Sequence, residues 1–392
     1  MLILAAPVVY AITATEAPAG FDNLTNGFES QAQFDLDRAN FDSVEDNGDG
    51  LGPVYNAQAC RECHQNPVSG ATSQITELRV GRVDGFGTFT DRPGGSLIND
   101  RAINPAAQER VTTADNVVAF RSSLNILGDG FIEAIDSNTI VGIQSGQPSG
   151  MKGQIITVPM GEAPGQTRTA RFGWKNQHAS LLSFAADAYL NEMGITSPLQ
   201  PTENTNNGAS VAAFDAVPDP EDAATAANPK GTDVEAFTRF MRSTKVPPRD
   251  TALAATSDAV AGASLFNSVG CNICHVTSIT TAPAGTVING GAFTVPAALG
   301  SKIIHPYSDF MLHDVGTGDG IVQNGGQSTA NKLRTPPLWG LRTRARFMHD
   351  LGNGTRFNSI LRHNNEANGV VNNFLNLSTT QQNQLLTFLN SL

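Results

Sequence analysis

The residues best equipped for chemistry in this chain stand in two copies of one pattern. They are Cys60-Arg61-Glu62-Cys63-His64 and Cys271-Asn272-Ile273-Cys274-His275. Two thiols separated by two residues can add across the two vinyl groups of a haem, and a histidine directly after them falls under the iron as an axial ligand. The two copies use all four cysteines of the 392-residue chain. Paired Cys-x-x-Cys units also build zinc sites, but here the pairs lie far apart and each carries the extra histidine. The pattern points to two covalently bound haem c groups, attached at Cys60, Cys63, Cys271 and Cys274, with His64 and His275 as proximal iron ligands.

Chain elements must carry these motifs to their haems, and the two surroundings share a plan. Val54-Tyr55-Asn56 precedes the first motif and Leu265-Phe266-Asn267 the second, each three residues ahead of the cysteine. Arg121 follows Cys60 by 61 residues, and Arg334 follows Cys271 by 63. The matched offsets suggest duplicated lobes. Helical spacing with Ser257 as N-cap predicts a helix running into the second motif. Apolar periodicity predicts further helices over 179–193, 233–242 and 378–392, while strand signals are few and short, as at 153–158. The expected class is mainly α: two cytochrome c-like haem lobes with long loops and few short strands. The lobes are expected at 20–248, with a loop insertion near 202–231, and at 249–392.

The net charge of −11 disfavours nucleic acid, whose phosphates are held by Lys and Arg. An acidic surface can steer a basic electron donor, or simply keep the protein solvated. Residues 2–14 carry no charge and read as a signal-peptide core, too short to span a bilayer, so 1–19 is taken as a signal peptide. Covalent haem c attachment takes place outside the bacterial cytoplasm, so the expected location is the periplasm, with no stable membrane insertion of the mature chain.

Four blocks resemble a known family. They are 51–60 running into the first motif, Gly130-Phe131-Ile132-Glu133-Ala134-Ile135, Arg171-Phe172-Gly173-Trp174-Lys175, and the stretch from Tyr307 through Arg334-Thr335-Pro336-Pro337-Leu338-Trp339 to Ala367. Together they resemble the di-haem oxidoreductases, thiol-oxidoreductase-like and peroxidase-like proteins related to bacterial di-haem cytochrome c peroxidases and the MauG type. Departures fall at Leu351-Gly352-Asn353-Gly354, at Asn364-Asn365 and at Ser122-Ser123, which touch loop geometry more than fold. The resemblance implies an oxidoreductase that reduces hydrogen peroxide with electrons from a small cytochrome or copper protein. It allows a calcium ion between the lobes. It also places His363 where relatives hold the sixth ligand of the C-terminal haem, with His313 and His349 as alternatives.

A haem with two strong protein ligands moves electrons, whereas one with an open position can split peroxide. No histidine stands between Gln65 and Gln177, which leaves the first iron open unless Met151, a residue of the other lobe or water fills it. In the repeat register Glu133 falls near the first haem among apolar neighbours. There a buried carboxyl could serve as catalytic acid–base; the plainer reading is a surface glutamate. Arg121 and Arg334 are candidate partners for haem propionates, and Trp174 and Trp339 are electron relays or packing residues. Two other readings stay open: an electron-transfer cytochrome with both irons six-coordinate, and a MauG-like oxidase of a protein or thiol.

Overall fold

The computed structural model describes residues 13–219 and 222–392. Most of the expected signal peptide lies outside the described residues, but 15–20 are built into the fold. Thr15–Glu16 pairs in parallel with Lys302–Ile304, and Gly20 N–H donates to the Val246 carbonyl.

The expectation of a mainly α class is corrected. Helix accounts for 31% of the chain and strand for 15%, with eleven α-helices and several small sheets among the described residues. Most strands are two or three residues long, below what alternation can reveal. The exceptions are Thr76–Val83 and Val117–Ser122, paired antiparallel over six positions with Glu77 opposite Arg121 and Arg79 opposite Ala119. That shared face carries charge where a strand pattern would call for apolar residues, so the stretch reads as loop. Rules of patterning tend to break where a protein keeps functional groups.

The helices form for legible reasons. Ser180 caps Leu181–Met193 by accepting from Ser183 N–H, and Gly194 closes it in the left-handed region. Thr256, one residue ahead of the expected Ser257, caps Ser257–Val269, whose C-terminal Gly270 at φ 102° turns the chain straight into Cys271. A capping box of Ser378 and Gln381 starts Thr379–Asn390, satisfying amide groups that would otherwise lack partners. Thr232–Ser243 is the helix expected at 233–242. Among the described residues, the 202–231 segment holds a short hairpin, Thr205–Asn206 with Ala209–Ser210.

Two cores result. Phe34, Phe41, Phe237, Phe240, Tyr189 and Phe131 surround the first motif, and this core continues through Ile279, Leu299 and Phe310 into the later part of the chain. Phe266, Tyr307, Phe374, Phe388 and Leu389 form a second core behind the second motif. The backbone between them is closely fitted. Gly128 sits at φ 81°, and a Cβ there would lie 2.9 Å from Val246 and 3.1 Å from Trp339. Among the described residues no helix is long and apolar enough to cross a membrane.

Candidate functional site

A deep cleft opens beside the second motif. Its cavity volume is about 230 Å³. Cys271, Cys274, His275, Arg334, Trp339 and His363 line it. The His275 and His363 rings face one another with centroids 6.5 Å apart and planes at 64°. A metal–imidazole bond is roughly 2.0 Å and a ring centroid lies roughly 1.1 Å behind its nitrogen, so two imidazoles on one metal stand roughly 6.2 Å apart.

The tautomers agree with that geometry. His275 Nδ1 lies 2.9 Å from the Tyr307 carbonyl and His363 Nδ1 2.8 Å from that of Ser359. A carbonyl can only accept, so each Nδ1 carries the proton and each Nε2 keeps its lone pair for a metal. Burial lowers the pKa of both rings, His275 to about 4, which holds them neutral. The cleft also has donors waiting for acceptors. The Nε atoms of Arg344 and Arg356 and Nε1 of Trp339 are buried without a hydrogen-bond partner among the described residues. All three residues line the cleft. Two opposed imidazoles, two thiols and three unsatisfied donors suit a haem and its two propionates. Arg344, Arg356 and the free Trp339 N–H escaped sequence reading, because nothing in the sequence marks an unsatisfied donor.

His313 and His349 also line the cleft, in different surroundings. His313 Nε2 lies 2.8 Å from Asp309 Oδ2 and Nδ1 2.7 Å from Glu366 Oε2. Although burial works against it, these carboxylates and Cys274 push its pKa up to about 12. Cys274 Sγ, Asp309 and His313 lie within 4.8 Å of one another, yet an imidazolium with both nitrogens engaged has no lone pair for a metal. His349 stands edge-on to Trp174 at 6.0 Å, its Nδ1 buried without a partner among the described residues. Met151 lines this cleft, as do Thr72 and Leu124 from the first motif's side.

At the first motif, Cys60 and Cys63 fall on a four-residue helix, and His64 packs against Phe41 with centroids 6.3 Å apart. Burial lowers His64 to about 4, and the carbonyls of Ala71 and Leu124 lie beside its ring. Its Nδ1 is buried without a partner among the described residues. The arrangement suits one axial bond to a metal, and no second histidine faces this ring among the ring contacts of the described residues.

The carboxylate expected here, Glu133, is turned to another task. Arg242 donates to it from Nε at 2.6 Å and from its terminal nitrogen at 3.0 Å, and Leu181 N–H and Asn289 Nδ2 each donate at 2.9 Å. Despite full burial, the Arg242 charge holds it below the usual carboxylate range. It pins the start of the 181–193 helix to the 232–243 helix. Arg121 donates to Asp319 at 2.7 Å and Gln323 at 2.6 Å, and its other terminal nitrogen is buried without a partner among the described residues, so an internal ion pair holds it and one end of its guanidinium is left over. Arg334 fits the expectation better: only its Nε is used within the protein, on the Gly173 carbonyl at 2.8 Å, and it lines the cleft.

The acids near the first motif are others. The charges felt at Cys63 are those of Glu192, Glu62, Glu77 and Arg101. Burial and the neighbouring Glu77 raise the pKa of Glu192, while Arg79 holds Glu77 below the usual carboxylate range despite burial. Arg79 pairs with Glu77 through Nε, and Asn56 Nδ2 donates to Glu192 Oε2 at 3.1 Å. The Arg79 and Glu77 side chains keep 12% and 20% exposure. The two acids come from a strand and from a helix, 115 residues apart, and so left no local signal.

Comparison with known proteins places this architecture. No curated protein matches the chain. Three solved structures are similar at low identity. A MauG-like protein associated with microbial copper homeostasis is 15% identical, covers 99% of this chain and 95% of its own, and has a TM-score of 0.42. Hydrazine synthase of Kuenenia stuttgartiensis is 13% identical, with coverage of 100% and 99% and a TM-score of 0.41. The diheme peroxidase BthA of Burkholderia thailandensis is 14% identical, with coverage of 78% and 92% and a TM-score of 0.34. Similarity this distant carries no argument about the site. The family profile described as "Di-haem oxidoreductase, putative peroxidase" matches residues 99–392, which take in the second motif and most of the chain. The chain therefore belongs to the di-haem oxidoreductase family, enzymes that carry two haem groups.

Proposed function

We propose that this enzyme is a periplasmic di-haem peroxidase that reduces hydrogen peroxide to water with electrons from a small donor protein, a cytochrome or a copper protein. Cys60 with Cys63 and Cys271 with Cys274 would hold the two haems covalently. His64 is the proximal ligand of the first, and His275 with His363 the axial pair of the second. The observation that carries the reading is the asymmetry of the two sites: opposed imidazoles 6.5 Å apart at one, and a single buried imidazole at the other. A six-coordinate haem is suited to receiving and storing an electron, a five-coordinate one to binding peroxide.

The bound haems supply the redox chemistry; this chain's residues do the rest. Peroxide reduction breaks the O–O bond and consumes two electrons and two protons to give two waters. Tyr307 and Ser359 fix the two imidazole tautomers. Arg334, Arg344, Arg356 and Trp339 offer N–H groups to the propionates. Beside the first motif, burial first and then the neighbouring Glu77 raise the pKa of Glu192, so it would hold a proton near neutrality.

The test is the ferric spectrum of the haem-loaded protein before and after stoichiometric hydrogen peroxide. The reading requires one high-spin and one low-spin haem per chain, with peroxide changing the high-spin signal. Two low-spin haems that ignore peroxide would refute it.

A further inference from the structure

The segments around the second motif share a property that the composition of the whole chain hides. Residues 251–301 hold one charged side chain, Asp258, and residues 363–392 hold one, Glu366, although 16% of the chain is charged and its net charge is −11. Both of these charges are engaged: Gln384 Nε2 donates to Asp258 Oδ1 at 3.1 Å, and His313 Nδ1 lies 2.7 Å from Glu366 Oε2. We propose that the uncharged outer surface where the helix Asn368–Leu375 covers the second motif is the docking face of the electron donor, a small redox protein whose own contact rim is uncharged. This placement rests on the peroxidase reading above and adds to it where the donor sits and what recognises it.

The helix Asn368–Leu375 is a wall between the cleft and solvent. Val370 and Val371 line the cleft, and Phe374 is buried in the core behind the motif. Asn368, Asn372 and Leu375 fall on another face of the helix, spaced by four and three residues, and all three are exposed. The wall is fastened to the motif. Asn373 Nδ2 donates at 3.1 Å to the carbonyl of Val269, two residues ahead of Cys271, and a Cβ on Gly270 would lie 3.3 Å from Val370 Cγ2. On the motif's own side Asn267, Ser268 and Asn272 are exposed, while Cys271 and Cys274 are half-buried. The rim of the second thiol pair thus offers amides, a hydroxyl and a leucine. The first motif is bordered differently: exposed Arg61 stands 4.0 Å from Asp42, and Arg101 pairs with Glu62 at 3.3 Å.

Leaving charge out of one face of an acidic protein has a physical use. Charged side chains are depleted from the cores of protein interfaces, because a buried charge without a partner loses its hydration. A donor must come close to the haem, deliver one electron and leave, and electron-transfer pairs accordingly bury less than about 1,200 Å². A face of amides with few apolar side chains suits so brief a contact. A permanent pairing of two copies of this chain would call for a larger and more apolar surface, on the order of 2,000 Å² or more. Among the described residues, the exposed large apolar side chains of the two segments are Val260, Val287 and Leu375, one each on three separate elements. The rest of the chain's negative charge lies outside these segments, where it can orient a donor from a distance without entering the contact.

The experiment mixes the haem-loaded ferric protein with a reduced blue copper protein whose copper edge is ringed by uncharged residues, and follows haem reduction by stopped flow without peroxide. One electron leaves the copper and one enters the second haem, so the readout does not depend on peroxide chemistry. Asn372→Lys and Asn372→Glu put opposite charges on the rim. Each should keep the ferric spectrum and slow the second-order reduction by about tenfold, since a charge of either sign must be desolvated on docking. The same two substitutions at Thr113, exposed ahead of the strand Val117–Ser122, should leave the rate within about twofold of wild type. Should the Asn372 variants fail to load haem, Asn368→Lys and Asn368→Glu on the same face give the same readout. Opposite effects of Lys and Glu on the rim would mean attraction between charges, and wild-type rates in both would mean a donor seated elsewhere; either result overturns the proposal. A wild-type dimer that Asn372→Lys splits in sedimentation would assign the face to a second copy and overturn it as well. Slowing by both rim variants in a protein whose spectrum ignores peroxide supports the docking face and removes the peroxidase reading. A spectrum that answers peroxide while both rim variants are reduced at the wild-type rate does the reverse.

Discussion

Replacing His363 by Ala tests the asymmetry on which the functional reading stands. In the native chain its ring faces His275 at 6.5 Å, turned by its Nδ1 bond to the Ser359 carbonyl. Alanine removes the ring and that bond and leaves His275 held by Tyr307. The loss of one hydrogen bond costs about 1 kcal/mol, too little to unfold a domain. The spectroscopic effect is large by contrast. The low-spin ferric signal should fall from one haem per chain to none, with an equal gain in high-spin signal, and added imidazole should restore it. Replacement by Met should keep the haem low-spin and raise its midpoint potential by on the order of 0.1 V, within the roughly 0.8 V that axial ligands span. Electron paramagnetic resonance and spectroelectrochemical titration measure both. An unchanged low-spin signal in His363→Ala would refute the reasoning, since it would mean that another residue holds the sixth position.

Other outcomes follow from the same structure. Glu133→Gln breaks a buried pair with Arg242 and should cost about 3–5 kcal/mol in denaturant unfolding, while the folded fraction reacts with peroxide at the wild-type rate. Because the folded pKa of Glu133 is lowered from 4.5, its contribution is present above that pH and lost as pH falls, so the difference between variant and wild type should shrink in acid. His313 is the opposite case. Its folded pKa is raised from 6.5 to about 12, so its contribution is complete below pH 6.5 and is lost as pH rises toward 12. Thermal midpoints of His313→Gln should therefore converge on wild type in alkali. Arg344→Gln and Arg356→Gln should each lower the midpoint potential of the second haem, by on the order of 50 mV for a nearby unit charge in a medium of intermediate dielectric; potentials equal to wild type would remove these arginines from the propionates.

The helices could be read in advance because their information is local. Caps, turn glycines and a 3.6-residue period lie within a dozen neighbouring residues, and the ends at Ser180, Gly194 and Ser378 show it. The strands leave too little pattern to read, so the sequence suggests a mainly α class that the structure does not have. Pairs such as Leu312–His313 with Leu333–Arg334 are too short to alternate, and Thr76–Val83 spends one face on Glu77 and Arg79. Glu133 shows how register misleads: its apolar neighbours do mark burial, but burial beside Arg242 makes an ion pair instead of a proton carrier.

What the sequence by itself determined is the number and kind of prosthetic groups, since Cys-x-x-Cys-His is a local pattern whose spacing suits the chemistry wherever the chain goes. What only tertiary structure decided is what stands around each group. His363 comes to His275 across 88 residues, and Glu192 to Glu77 across 115. Arg344, Arg356 and Trp339 are left with unsatisfied donors in one cleft by the way distant segments pack. Side-chain type sets which proton or lone pair a residue can offer. Whether that group meets an ion pair, a partner acid or an open cleft depends on contacts that no local spacing encodes.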